Sequence, residues 1–134
     1  LVAHGVSISP GKPTIIVRKG NKTLWGLPGH PVSAMVIFDV FLRYLFHRLL
    51  GLSELDAYRG QFIEAELDRN VESATGREDY IRVMLSRNQG RVLATPILGK
   101  SGLISTMVEA DGLVRIDMNT EGLYRGDRVQ VRLF

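Results

Sequence analysis

An α/β unit followed by a small all-β barrel is the fold class this sequence predicts, and three observations carry it. Between residues 14 and 50, two β-branched or aromatic strand runs lead through a Gly/Pro loop into one long apolar helix. From about residue 54 the texture changes to short strand runs separated by turn clusters. The hydrophobic fraction, 45% of 134 residues, is enough for the core of one ordinary domain or two small units.

The elements follow in order. Thr14-Ile15-Ile16-Val17 reads as a strand, Lys19-Gly20-Asn21-Lys22 as a polar turn, and Thr23-Leu24-Trp25-Gly26-Leu27 as a second strand. Trp25 is expected to pack as a core aromatic. Next comes Gly26-Leu27-Pro28-Gly29-His30-Pro31-Val32-Ser33-Ala34, a loop of backbone-restricting residues with Pro31 suited to the first helical position. A strand that enters a helix through such a loop is the grammar of an α/β layer. The helix, Val32 to Leu50, is apolar on nearly all sides and is expected to be buried, with Gly51 as its stop. Asp39, Arg43, His47 and Arg48 interrupt the run and argue against a membrane span, and the three basic residues complement the negative end of the helix dipole. The strand edges and apolar helix of residues 1–53 predict self-association. Further strands are expected over Arg59 to Leu67, Tyr80 to Ser86, Val92 to Pro96, Leu113 to Asp117 and Arg128 to Leu133. Asn88-Gln89-Gly90 and Tyr124-Arg125-Gly126-Asp127 are turns, and Ser101 to Ala110 has one short helical face. Several short strands need closure to hide their edges, hence the barrel.

Composition narrows the function classes. Seventeen basic residues stand against fourteen acidic ones, interspersed, for a net charge of +3. Such a mild field favours small anionic ligands, and the strands lack the interleaved aromatic and basic residues of a nucleic-acid surface. No cysteine is present, which excludes disulfides and thiolate chemistry and fits a reducing cytoplasm. His4, His30 and His47 have no metal-ligand spacing. The start at Leu1, with no basic-then-apolar leader, reads as a fragment of a longer protein. The Gly/Pro loop admits two readings. One is an anion site, where free amides, the helix dipole and the Ser33 hydroxyl meet a phosphate; the other is a tight strand-to-helix connection with no ligand.

Several ordered motifs carry a resemblance. Ser9-Pro10-Gly11-Lys12-Pro13, Gly26 to Ala34, Gly76-Arg77-Glu78-Asp79-Tyr80-Ile81-Arg82-Val83, Ser101-Gly102-Leu103-Ile104-Ser105, Ala110-Asp111-Gly112-Leu113 and Gly126-Asp127-Arg128-Val129-Gln130-Val131 resemble the C-terminal part of the MoeA/gephyrin family, the molybdopterin molybdenumtransferases. The resemblance implies that residues 1–53 end a molybdopterin-binding α/β domain and that residues 54–134 form a C-terminal β-barrel domain. It implies a cytoplasmic enzyme of molybdenum cofactor biosynthesis, with no nucleic-acid or membrane partner. That enzyme inserts molybdate into adenylylated molybdopterin with a divalent cation such as Mg2+. It also implies a homodimer in which the barrel of one subunit lies beside the pterin domain of the other, so that Arg77 meets another copy's Lys12. The family's aspartate-bearing glycine-rich segment lies upstream of Leu1, so the chain alone is expected to be inactive. A non-catalytic assembly or peptide-binding module of the same fold is the alternative.

The implied substrate-binding residues are Lys12, Pro28, Gly29, His30, Pro31, Ser33, Arg77 and Ser101. Lys12 matches the second lysine of the family's lysine-proline-glycine-lysine-proline element, while Ser9 stands at the first lysine and removes one positive charge. His30 replaces a common asparagine, as a helix cap, a ligand contact or an uninvolved surface residue. Arg77 offers a rigid guanidinium fork to an oxyanion, in competition with an ion pair to Glu78 or Asp79. Arg82, on a strand, is expected to point to water. Ser101 before Gly102 lines the same family cleft or simply caps a turn.

Overall fold

A computed structural model describes residues 1–53, 61–99 and 105–134. The first segment holds β1 (Ala3–His4), β2 (Ile8–Ser9), β3 (Ile15–Lys19) and β4 (Lys22–Gly26). A continuous helical stretch follows: α1 (Pro31–Ile37), a π-helical turn (Phe38–Leu42) and α2 (Arg43–Leu49). Beyond it lie β5 (Phe62–Leu67), β6 (Val71–Glu72), β7 (Glu78–Asn88), β8 (Arg91–Pro96), α3 (Ser105–Val108), β9 (Gly112–Ile116), β10 (Gly122–Leu123) and β11 (Arg128–Leu133).

Strands β7, β8, β5, β11 and β9 pair in that order, and β9 returns to β7, closing a five-stranded barrel. Closure satisfies both edges of every strand, as the sequence required. Its core is Ala65, Leu67, Val83, Ala94, Val114, Val129 and Val131, small and β-branched residues that fit a tight interior. The expected strand over Arg128 to Leu133 is β11 as observed, and the expected turn at Asn88-Gln89-Gly90 joins β7 to β8 through the pair Asn88 and Arg91. The helix expected from Ser101 is described only over Ser105–Val108, since Ser101 lies outside the described residues.

In the first segment β3 and β4 form a hairpin, with β1 on the far side of β3. The helix begins at Pro31 and ends as expected: Gly51 takes φ +75°, its N–H bonds to Arg48 O at 3.1 Å, and the Leu52 N–H bonds to His47 O at 3.0 Å. Burial differs from expectation. The chain covers one side of the helix through Val32, Ser33, Val36, Ile37 and Asp39, while Met35, Phe38, Phe46 and Leu49 are exposed. An all-round apolar helix shows that cover is needed but does not say which segment provides it. Trp25 is half-buried against Phe41, with ring centroids 6.2 Å apart.

Two features tie the first segment to the barrel. Strand β2 adds to β7 in parallel, pairing Ile8 with Glu78 and Ser9 with Asp79. On the helix, the π turn gives the Arg43 N–H to Phe38 O, and Arg132 Nη2 of β11 donates to Asp39 O at 2.6 Å. The Asp39 carboxylate, whose side chain is 5% exposed, lies 2.9 Å from Arg43 Nη2 and 3.3 Å from Arg132 Nε. Arg43 therefore pairs with Asp39 rather than with the helix end. Burial pushes the Asp39 carboxyl above its usual range, and the attraction of Arg132 and Arg43 offsets this only in part.

Removing one partner of a buried pair typically costs about 3–5 kcal/mol. Arg132→Met is expected to lose about that much at neutral pH. Loss of the Arg132 charge raises the Asp39 pKa further, so the deficit is full above the variant's value and shrinks as pH falls from there toward the already raised value of the native protein. Urea unfolding at about pH 7 and about pH 4.5 checks both parts; a loss below about 1 kcal/mol at the higher pH would remove the pair as the helix–barrel joint.

Candidate functional site

The loop that carries Lys12 is held from three directions. Its ends are laced by Val6 N–H to Lys12 O at 3.0 Å and Gly5 N–H to Thr14 O at 2.8 Å, and the fully buried Thr14 donates its hydroxyl to Gly11 O at 2.7 Å. The β2–β7 pairing, extended by Glu78 N–H to Ser7 O at 2.9 Å, fixes it to the barrel. Gly11, at φ +141°, presses it onto the helix, where a Cβ would come within 2.5 Å of Ile37 Cδ1. Only glycine fits there. Lys12 is exposed at the outer end and, among the described residues, has no carboxylate partner.

The facing wall is the loop between β6 and β7. Arg77 is half-exposed, with its Nε 3.1 Å from Asp79 Oδ1. Of the competing partners, Asp79 takes Arg77, whereas Glu78 accepts from Tyr80 Oη at 2.9 Å and Arg115 Nη2 at 2.5 Å. Asp79 is 4% exposed and also accepts from Ser73 Oγ at 2.6 Å. Burial pushes its carboxyl up, but the hydrogen bonds from Ser73 and Ser9, with the Arg77 charge, outweigh this and hold it below the usual carboxylate range. Asp79 is therefore ionised at neutral pH.

Between these walls lies a cleft of about 500 Å3, lined by Ser7, Lys12, Ser33, Thr75 and Arg77 among others. Two cationic side chains and several hydroxyls around an open, partly polar space suit a tetrahedral oxyanion. Lys12 and Arg77 line this cleft within one chain, where the resemblance implied that Arg77 meets another copy's Lys12. Strand β2 brings the two loops together before any second subunit is involved. Ser33, 5% exposed near the start of α1, reaches the cleft. Pro28, Gly29, His30 and Pro31 do not line it. His30 precedes the helix with extended backbone, and its side chain makes no capping bond. Ser101 falls outside the described residues.

Arg82 corrects the expectation that it faces water. It is 8% exposed, donates Nη2 to Gly99 O at 3.1 Å, and lines a second cavity of about 280 Å3 with Tyr80 and Leu98. Among the described residues, no group of three histidines or carboxylates is arranged to hold a metal ion, so the side chains here do not fit the implied Mg2+ and no step is derived through it. Of the site-building residues, Asp79 entered the sequence reading only as a competing partner of Arg77, and Ser73 not at all. The signal was the two-residue spacing of Arg77 and Asp79 beside a strand start.

A family model described as the MoeA C-terminal region (domain IV) matches residues 64–134. A Methanocaldococcus jannaschii protein whose name places it in molybdopterin biosynthesis is 31% identical over 134 residues, which cover 99% of this chain and 30% of that protein. The molybdopterin molybdenumtransferase of Bacillus subtilis is 27% identical, covering 96% of this chain and 29% of the enzyme. A molybdenum cofactor biosynthesis protein from Pyrococcus furiosus has the same fold, with a TM-score of 0.80 and 27% identity over 99% of this chain and 45% of that structure. The chain thus spans about 30% of the length of the curated relatives it matches.

The Gly11 contact is testable. Gly11→Ala places a methyl against Ile37 at a backbone angle that L-residues rarely adopt, and is expected to cost about 1–3 kcal/mol. Ile37→Ala removes the facing atoms. The double variant should be more stable than the sum of the single losses by about 0.5–3 kcal/mol in urea unfolding, and strict additivity would dissociate Gly11 from Ile37.

Proposed function

Because this chain belongs to the MoeA family through its C-terminal region, we propose that it is the C-terminal part of a molybdopterin molybdenumtransferase, acting in molybdenum cofactor biosynthesis. In this reading residues 1–53 end the molybdopterin-binding domain, residues 54–134 are the barrel domain, and the whole enzyme is a cytoplasmic homodimer. The observation that carries it is the convergence of Lys12, Ser33 and Arg77 on one cleft assembled from three separated stretches of chain. The relatives' names speak of molybdopterin and molybdenum transfer; this reading takes adenylylated molybdopterin as the pterin substrate and molybdate as the incoming oxyanion.

The chain's own residues have defined tasks. Lys12, with no carboxylate partner among the described residues, offsets the repulsion between a phosphate-bearing pterin and approaching molybdate. Arg77 offers its two terminal nitrogens while Nε stays on Asp79. Ser33 donates a hydroxyl from the helix side, and Ser101 is carried in this reading by the family resemblance alone. Pro28, Gly29, His30 and Pro31 contribute, in this reading, by setting the start of α1 and the surface around Ser33. The exposed apolar side of the helix, including Met35, Phe38, Phe46 and Leu49, is covered in the whole protein by a further segment or subunit.

Lys12→Ala in the full-length protein is expected to weaken molybdate binding by about 1.5–3 kcal/mol, roughly ten- to more than a hundredfold, read by calorimetric titration. Affinity equal to wild type would remove Lys12 from the site. Since both cations line one chain's cleft, mixing Lys12→Ala and Arg77→Ala proteins should restore no tight sites, whereas recovery of part of the wild-type capacity would place the site between subunits.

The isolated 134-residue chain should show no molybdate insertion. Turnover of adenylylated molybdopterin by this chain, purified free of full-length enzyme, would overturn the assignment of the missing machinery to an upstream region.

A further inference from the structure

Asp79 has three partners on two pieces of chain, the β6–β7 loop and β2. Ser73 lies at the exit of β6, Arg77 on the cleft wall, and Ser9 on β2, in direct register with Asp79 and three residues before Lys12. Its side chain is 5% exposed, so the carboxylate exchanges water for these donors. Among the described residues the Arg77 side chain is held through Nε alone, and its two terminal nitrogens carry no carboxylate. A rim arginine held this way loses rotamer freedom without losing the donors that would meet a ligand.

We propose that Asp79 is the positioning residue of the oxyanion cleft, holding the Lys12 loop and the Arg77 loop at the separation a tetrahedral oxyanion requires. This rests on the reading of the cleft as an oxyanion site. It runs against the simplest electrostatic expectation, because a carboxylate beside an anion site repels the ligand. Two roles for Asp79 therefore predict opposite signs. If it only neutralises Arg77, removing its charge tightens anion binding; if it positions Arg77 and the Lys12 loop, removing it weakens binding although the site becomes more positive.

Asp79→Asn separates them. The amide keeps the shape but replaces one acceptor oxygen with a donor. With its nitrogen toward Ser73, whose hydroxyl can reverse its bond, the amide still offers an oxygen to Arg77 Nε–H, but a neutral acceptor holds it roughly half as strongly as a carboxylate does. Ser73→Ala removes one bond to Asp79 and leaves every charge in place, so it decides the question if Asp79→Asn fails to fold. The measurement is calorimetric titration of the full-length protein and each variant with sodium molybdate alone, accompanied by thermal melts and by exchange of the Arg77 Nε–H signal in nuclear magnetic resonance.

Asp79→Asn is expected to bind molybdate about tenfold more weakly and Ser73→Ala about threefold more weakly, each with faster Nε–H exchange. Unchanged or tighter binding by a folded Asp79→Asn, or by Ser73→Ala where Asp79→Asn does not fold, overturns the positioning role, and a fall in melting temperature alone does not rescue it. Lys12→Ala distinguishes the two levels. Wild-type affinity in that variant removes the oxyanion cleft and the proposal with it, whereas weakened Lys12→Ala beside undiminished Asp79→Asn overturns the proposal alone.

Discussion

The two-residue parallel pairing of β2 with β7 is the constraint on which the cleft depends. It is the contact that sets Lys12 opposite Arg77, because Lys12 follows β2 by three residues and Arg77 immediately precedes β7. So short a pairing has little stability of its own. It is supported from three sides: Ile8 is 7% exposed, Asp79 gathers Ser9, Ser73 and Arg77, and Gly11 lies against Ile37 of the helix. Each support belongs to a different layer of the fold, so the cleft inherits its geometry from barrel and helix alike.

Charge is used in opposite ways at the two junctions between the first segment and the barrel. At Asp79 the hydrogen bonds outweigh burial and ionisation is favoured. At Asp39 burial outweighs the two arginines, and the ion pair is held by proximity at a net cost to its charged form. The π turn is the local means of accommodating Asp39. By sending the Arg43 N–H back to Phe38 it changes the usual helical bonding at the residue whose carbonyl Arg132 reaches.

Much of this was legible in the sequence, and the gaps have physical reasons. Strand β11, the β3–β4 hairpin, Pro31 at the helix start and Gly51 at its end were readable because periodicity and backbone stereochemistry act within a few residues. The two-residue strands β1, β2, β6 and β10 are too short to show alternation, so the pairing that assembles the cleft left no pattern. Lys12 and Arg77 emerged from motifs, but their meeting in one chain did not, since it depends on register between distant segments. Arg82 read as solvated because an arginine on a strand usually is; its burial follows from the Gly99 carbonyl 3.1 Å away. The helix pattern demanded cover without identifying its source, and Met35 and Phe46 remain exposed in this chain.

The unequal sizes of β2 and β7 have a consequence for motion. β7 has eleven residues and is shared by β2, β8 and β9, whereas β2 has two and, among the described residues, pairs with β7 alone. The inexpensive fluctuation of the cleft is therefore detachment of β2, with the barrel left closed, and the amides of that edge exchange with solvent well before those of the barrel interior. A ligand that touches both walls must make this opening rarer, in proportion to its occupancy, so the cleft stiffens where it is most easily undone.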